Sequence, residues 1–243
     1  MHPNLLESPN LILKKIKQLI YTRFNIALDY QLFKISEEQI LHYLASYDCI
    51  TIPNILRSSS LKRRVEFLSG RICALTAMKL YGVKKAQQLL IKSDSSPMWP
   101  HNIVGSISHS KNIAIAIVGD NDKYSGIGID IEQIPKNNTA TELMPKIISS
   151  NELTNFHNLN LDTQQLFSIV FSGKEALFKA VYPQVNKYFY FNDVKCINIL
   201  PEYDQWSMML TKTLSKKHYA GKIYCGLYFI GYEYIISIVI LSQ

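Results

Sequence analysis

The stretch that decides the fold is Gly126-Ile127-Gly128-Ile129-Asp130-Ile131-Glu132. Isoleucine alternates with glycine or an acidic residue, which predicts a β-strand, because strand side chains point alternately to two faces. Asp130 and Glu132 would share one face. Two carboxylates this close repel each other unless a cation lies between them. Glycine inside a strand also indicates close approach of a ligand or another backbone.

A second stretch, Phe171-Ser172-Gly173-Lys174-Glu175-Ala176-Leu177-Phe178-Lys179-Ala180, predicts a helix over 164–181 that is closed by Pro183. Glu175 and Lys179 are four residues apart and therefore neighbours on the helix surface. The helix is mostly apolar, so its charged side chains need partners. Together the two stretches supply three carboxylates and nearby lysines, which suit a divalent cation held against a phosphate.

A third group of residues is basic and precedes the other two. A helix is predicted from Ser60 to Gly82, with Arg64 and Arg71 seven residues apart on one face beside Arg63 and Glu66. A strand is predicted over 103–109, and it ends in Ser108 and His109. Arginine, hydroxyl and imidazole groups can all donate to phosphate oxygens. Each group alone also has an ordinary structural explanation, so only the combination favours an anion site.

The remaining pattern predicts two α+β halves that join at a polar turn within 119–126. The halves correspond to residues 1–122 and 123–243. Residues 133–150 are predicted to be a loop or irregular segment, and Gly231-Tyr232 to be a hairpin connection. Residues 1–57 give little pattern apart from a short helix over 36–43. Further strands are predicted over 113–118, 194–200, 206–211, 223–230 and 234–241.

Composition limits the classes of protein and partner. The chain has 243 residues and a net charge of +7, which favours anionic partners, but no block of five basic residues that would suggest a nucleic-acid arm. The four cysteines form no C-x-x-C pair, which predicts reduced thiols in a cytoplasmic protein. No signal peptide or membrane span is predicted, because lysines interrupt the apolar stretch over 11–20 and no apolar run reaches 18 residues.

In the order and spacing of these motifs the chain resembles the 4′-phosphopantetheinyl transferases of the surfactin-synthetase-activating type, and particularly the branch that contains enterobactin synthetase component D. The residues that carry the resemblance are Gly126–Glu132 and Phe171–Lys179, supported by Arg63–Arg71 and Trp99–Ser110. The resemblance implies a pseudo-twofold pair of similar α+β halves with the active site at their interface. One departure is Ser95-Ser96-Pro97, where the branch usually has a basic residue that helps to bind the nucleotide.

The resemblance also implies roles for individual residues. Mg²⁺ would be bound by Asp130, Glu132 and Glu175. Coenzyme A, the co-substrate, would be contacted by Arg64, Arg71, Ser108, His109, Lys174 and Lys179. Glu175, Lys179 and His109 would be the catalytic residues. The proton of the attacking serine would pass to Glu175 or to a metal-bound water, and the sequence does not distinguish these two acceptors.

The implied reaction transfers the 4′-phosphopantetheine moiety of coenzyme A to a serine of an acidic apo carrier protein, of the kind used in siderophore-type non-ribosomal peptide synthesis. The carrier would dock on residues 133–156, and a monomer would be sufficient. Two alternatives stay open on the residues alone. One is another Mg²⁺-dependent phosphoryl-transfer enzyme or nuclease. The other is a basic nucleic-acid-binding module, which would leave the three carboxylates unexplained.

Overall fold

The structure, a computed structural model, describes residues 9–48, 50–136, 138–156, 158–231 and 233–243. Two compact units divide between Tyr124 and Ser125. The N-terminal unit consists of Leu13–Tyr124 with Gln243, and the C-terminal unit of Ser125–Ser242 with residues 9–12. Each unit contains a long helix and an antiparallel sheet pairing, so the chain has the predicted α+β class.

The chain up to the division forms nine described elements. They are α1 (Pro9–Phe24), β1 (Ala27–Leu32), α2 (Glu37–Ser46), α3 (Asn54–Arg57), α4 (Leu61–Leu80), β2 (Leu90–Ile91), β3 (Pro97–Met98), β4 (Ile103–Ser110) and β5 (Ile113–Asp120). The main sheet has the order β1-β5-β4 and is antiparallel.

Helix α4 is the long helix of the N-terminal unit. Its N-cap is Ser60, whose hydroxyl accepts a hydrogen bond from the Arg63 amide at 3.3 Å. Its buried face includes Leu68 and Ile72, which belong to the apolar core of this unit. The helix packs against β1 and β5, and the basic residues near its start therefore belong to the same unit as the end of β4.

The C-terminal unit contains a longer helix and a larger sheet. Its elements are β6 (Tyr124–Gln133), α5 (Thr139–Ile147), α6 (Ser150–Leu153), α7 (Thr163–Val185), β7 (Val194–Leu200), β8 (Gln205–Leu210), β9 (Ile223–Ile230) and β10 (Tyr234–Ser242). Short 3-10 turns span Phe191–Asp193 and Pro201–Tyr203. The sheet order is β6-β10-β9-β8-β7.

The two glycines of the opening stretch explain how α7 reaches β6. A Cβ atom added at Gly128 would collide with the carbonyl oxygen of Ala176, and one added at Gly126 with that of Ala180. These atoms are backbone and cannot move aside independently. Glycine is therefore required for close contact of strand and helix, as the sequence predicted from glycine within a strand pattern.

Most predicted elements are confirmed, but two predictions are wrong and two elements lie where none was predicted. Residues 139–147 are helical, although 133–150 was predicted to be irregular. Pro183 does not close α7, which continues to Val185 and ends at Asn186 in the left-handed conformation (φ 48°). Helix α1 and strand β1 lie in the segment that gave little pattern. Pro183 is tolerated in α7 because it lies near the end of the helix. It removes one backbone hydrogen bond, but few helical residues follow it.

Tyr232, part of the predicted hairpin connection, lies outside the described residues, although β9 and β10 do pair as antiparallel neighbours. Among the described helices, none combines the length and apolar character that crossing a membrane would require.

Candidate active site

Asp130, which is buried on β6, forms an ion pair with Lys179, which is half-buried on α7. The Lys179 ammonium lies 2.7 Å from Asp130 Oδ1 and also donates to the Ile129 carbonyl oxygen at 3.2 Å. The Asp130 side chain is 3% exposed and the Lys179 side chain 25% exposed. A buried carboxylate needs such a charged partner, and the two opening stretches are therefore brought together within the C-terminal unit.

Glu175 belongs to the same cluster. It lies one turn before Lys179 on α7 and is half-buried. Burial raises the pKa of Glu175 above its ordinary value, the Asp130 carboxylate raises it further, and Lys179 opposes the increase. The two carboxylates thus interact electrostatically. Glu132 lies two residues beyond Asp130 on β6 and is also half-buried.

The predicted Mg²⁺ ligands are Asp130, Glu132 and Glu175. In the described part of the chain no three acidic, histidine or cysteine side chains gather into a group able to hold a metal ion. The cation next to Asp130 in the structure is the Lys179 ammonium. The donor chemistry does fit Mg²⁺, which prefers carboxylate oxygens, and the mutual repulsion of Asp130 and Glu175 would be relieved by a cation. The ligand set stays a prediction.

Lys174 requires a correction. It was predicted to lie beside the coenzyme A diphosphate, but its side chain is only 1% exposed. The ammonium donates to the Ile147 carbonyl oxygen at 2.6 Å and the Phe191 carbonyl oxygen at 3.2 Å, and it pairs with Glu152 at 2.9 Å. These three acceptors match the three protons of an ammonium group. The Lys174 ammonium therefore joins α7 to the α5 end, to α6 and to the turn at Phe191, and its three protons are taken by protein acceptors.

A cavity of about 190 Å³ adjoins Glu175 in the C-terminal unit. Its walls are mainly aromatic: the lining residues are Lys174, Glu175, Phe178, Tyr188, Phe189, Tyr190, Phe191 and Val194. This cavity was not predicted from the sequence. Its only signal was the cluster of aromatic residues over 188–191, which is equally typical of ordinary core packing.

The basic group belongs to the N-terminal unit. Arg63 Nη1 lies 3.2 Å from His109 Nε2, and Glu66 Oε2 lies 3.9 Å from His109 Nδ1. His109 is at the end of β4 with its side chain 32% exposed, so the ring is both fixed and accessible. Ser108, the other predicted residue of this strand end, is buried. Arg63 and Glu66 were predicted to lie beside Arg64 and Arg71 on one helix. Helical spacing does not predict their contacts with His109.

Arg71 is a buried cation. Only 6% of the residue is exposed, and its guanidinium carbon lies 4.7 Å from the centre of the Phe67 ring. Burial lowers the pKa of Arg71 to about 10, and Arg63 contributes to the decrease. The Nε atoms of Arg64 and Arg71 are buried and meet no hydrogen-bond acceptor among the described residues. An anion would supply these missing acceptors.

Comparison with known proteins assigns a class to each unit. Residues 53–119 match the 4′-phosphopantetheinyl transferase N-terminal domain, and residues 126–223 match the 4′-phosphopantetheinyl transferase superfamily domain. The first match falls in the N-terminal unit and the second in the C-terminal unit. The chain therefore belongs to the 4′-phosphopantetheinyl transferase superfamily.

Within this superfamily, the chain is similar to enterobactin synthase component D. Identity is 36% over 141 residues with the Salmonella typhi protein, covering 57% of this chain and 58% of that protein. It is 36% over 135 residues with the Escherichia coli K12 protein, covering 55% of this chain and 63% of that protein. The Mycobacterium tuberculosis 4′-phosphopantetheinyl transferase PptT is 32% identical over 142 residues, or 58% of this chain and 60% of that protein. Each match thus spans less than two thirds of these curated relatives.

Proposed function

We propose that this chain transfers the 4′-phosphopantetheine moiety of coenzyme A to a serine of an apo carrier protein. The observation that carries the proposal is the pairing of Asp130 with Lys179, next to Glu175, inside the segment that matches the superfamily domain. The similarity to enterobactin synthase component D favours carrier domains of siderophore-type peptide synthetases as substrates. The similarities support neither the nuclease nor the nucleic-acid-binding alternative.

In the proposed reaction the serine oxygen attacks the β-phosphorus of coenzyme A. The bond between that phosphorus and the bridging oxygen breaks, and adenosine 3′,5′-bisphosphate leaves. Asp130, Glu132 and Glu175 would hold Mg²⁺, which would supply charge neutralisation at the diphosphate. Lys179 is the partly exposed cation of this cluster and stabilises negative charge on the departing phosphate.

The serine proton needs an acceptor. Glu175 has a raised pKa, which makes its carboxylate a better proton acceptor. Solvent is the other acceptor that the proposal allows. On the nucleotide side, Arg64 and Arg71 bind phosphate through guanidinium groups whose Nε atoms meet no acceptor among the described residues, and His109 contacts phosphate from the end of β4. We propose cytoplasmic activity by a monomer.

The test is incubation of the chain with an apo peptidyl carrier domain, coenzyme A and Mg²⁺, followed by mass spectrometry of the carrier. The expected result is one added phosphopantetheine per carrier and release of adenosine 3′,5′-bisphosphate. A carrier whose active serine is replaced by alanine is the control and should gain nothing. Absence of transfer to fatty-acid, polyketide and peptide-synthetase carriers would refute the proposal.

A further inference from the structure

The connection between β8 and β9 is the most basic loop of the C-terminal unit. Residues 211–222, here called the β8–β9 loop, contain four lysines and no acidic residue. Lys212, Lys216 and Lys217 are exposed, and Lys212 Nζ lies 3.8 Å from Asp193 Oδ2. A cluster of like charges in one short loop disfavours the folded state unless a partner of opposite charge compensates. The loop is therefore a candidate surface for an acidic partner.

The backbone of this loop is held by several contacts. The Lys187 ammonium donates to the Leu214 carbonyl oxygen at 3.1 Å, and that of Lys222 to the Lys217 carbonyl oxygen at 2.6 Å. The buried His218 ring contacts the Tyr224 hydroxyl at 2.7 Å and Gln184 Oε1 at 3.2 Å. A loop fixed in this way presents its exposed lysines without a large ordering cost when a partner binds.

The β8–β9 loop also borders the candidate active site. The Thr211 amide donates to the Asp193 carbonyl oxygen at 2.9 Å, and its hydroxyl to the Asn192 carbonyl oxygen at 3.1 Å. Both acceptors lie in the turn Phe191–Asp193, and Phe191 lines the aromatic cavity that contains Glu175. Tyr188 and Tyr190 of the same cavity are 58% and 71% exposed. Exposed tyrosines beside basic residues are typical of protein-binding surfaces.

Charge also distinguishes this loop from the region predicted to dock the carrier. Residues 133–156 contain two lysines and two glutamates, and Lys136 pairs with Glu233 at 2.6 Å. That region therefore offers little attraction to an acidic protein. It is adjacent to the turn Phe191–Asp193, because the Lys174 ammonium binds carbonyl oxygens of both Ile147 and Phe191. The β8–β9 loop is hydrogen-bonded to the same turn through Thr211.

We propose that the β8–β9 loop is the electrostatic docking surface for the acidic carrier domain, with the exposed tyrosines Tyr188 and Tyr190 of the cavity beside Glu175 as its apolar part. The proposal rests on the proposed function for the identity of the partner. It assigns the charge complementarity to Lys216 and Lys217, outside the 133–156 region, because Lys212 already pairs with Asp193. Electrostatic docking of this kind raises the association rate and weakens with salt.

The experiment compares Lys216→Glu/Lys217→Glu with the matched control Lys14→Glu/Lys15→Glu, which reverses two exposed charges on α1 of the N-terminal unit. Binding of a fluorescent, acidic apo peptidyl carrier domain is measured by anisotropy at about 50 mM and about 500 mM salt. The loop variant should bind about tenfold more weakly at low salt and differ little from wild type at high salt. Its KM for coenzyme A should not change, and circular dichroism checks that it is folded.

The outcomes separate docking from catalysis. Equal weakening by the loop variant and by the α1 control overturns the proposal, because only overall charge would matter. Unchanged binding by the loop variant, or no binding by the wild-type chain at low salt, overturns it as well. Binding that depends on the loop without any phosphopantetheine transfer would leave the docking surface standing and refute the proposed function. If the loop variant lost affinity for a single-stranded oligonucleotide but not for the carrier, the loop would be a nucleic-acid-binding surface and the proposal would be overturned.

Discussion

The folded structure disfavours the ionised form of Glu175. Burial and the neighbouring Asp130 carboxylate raise its pKa, and Lys179 compensates only in part. A carboxyl group whose pKa is raised by folding stabilises the folded state in its protonated form, and this contribution is lost as pH rises through the raised pKa. The ionised form of Glu175 therefore reduces the stability of the folded state, a cost that is expected of a functional residue.

Glu175→Gln is accordingly expected to stabilise the metal-free protein while removing activity. Its melting temperature should rise by a few degrees, because the neutral amide removes the repulsion from Asp130. Phosphopantetheine transfer should fall by about 100-fold or more. Glu142→Gln on α5 is the control, since Glu142 is exposed, and it should change neither quantity. A lower melting temperature for Glu175→Gln would contradict this account.

Arg71 is buried and its Nε meets no acceptor among the described residues, so we expect it to bind a phosphate group of the ligand. Arg71→Ala is expected to raise the KM for coenzyme A by about 10-fold to 100-fold. The KM for dephospho-coenzyme A, which lacks the 3′-phosphate, should change much less. Both constants come from steady-state transfer assays. Equal increases for the two substrates would exclude a role at the 3′-phosphate.

At the level of elements, the two lysines of α7 show what sequence can and cannot predict. Strand alternation put Asp130 on one face, and four-residue spacing made Glu175 and Lys179 neighbours, so most of the acidic cluster was predictable. Lys174 lies next to Glu175 in sequence, but its direction depends on where the carbonyl groups of Ile147 and Phe191 lie. Those acceptors come from separate segments, and no local pattern reports them.

Replacing each of these two lysines by methionine should therefore have different consequences, mainly for stability at Lys174 and mainly for activity at Lys179. Lys174→Met leaves the buried Glu152 without its ammonium partner and is expected to cost about 3–5 kcal/mol of unfolding free energy. The KM of the folded variant for coenzyme A should stay near the wild-type value. Lys179→Met, in a partly exposed position, should cost less stability but most of the transfer activity. Denaturant unfolding and transfer kinetics on both variants test the distinction, and similar profiles for the two would contradict it.

The stability of the β8–β9 loop is expected to depend on pH through His218. Burial lowers the pKa of His218 below its ordinary value of 6.5, with Lys222 and Lys217 contributing. Gln184 Nε2 donates to the Ala180 carbonyl oxygen, so its Oε1 accepts from His218 Nε2, and Nδ1 accepts from the Tyr224 hydroxyl. The ring is therefore held in its neutral form.

The unfolded chain binds a proton at His218 at higher pH than the folded chain does. The stability contributed by the neutral ring is therefore present above pH 6.5 and lost as pH falls towards the lower, folded-state pKa. Unfolding free energy measured by denaturant from about pH 7.5 to about pH 5.5 should fall more steeply for wild type than for His218→Gln. Identical pH slopes would show that His218 does not titrate differently in the two states.

On the scale of the whole molecule, each unit has its own core of aliphatic and aromatic side chains. Leu68 and Ile72 lie in the N-terminal core, and Leu177 and Trp206 in the C-terminal core. One family domain matches each unit, which agrees with separate cores. The α+β class followed from the order of helices and strands, whereas α1 and β1 were missed because their residues lack a clear period. Burial in a tertiary context, not local pattern, determines those segments.

Because both cores are apolar, removal of metal should affect activity and not folding. Chelation with excess EDTA is expected to reduce phosphopantetheine transfer by about 100-fold or more, with recovery on adding Mg²⁺. The far-ultraviolet circular dichroism should stay the same, and the melting temperature should fall by only a few degrees, unlike that of a domain folded around a structural metal. Added Mg²⁺ should stabilise wild type more than Glu175→Gln, because that substitution removes one predicted ligand. Equal stabilisation of the two proteins would exclude Glu175 from the metal site.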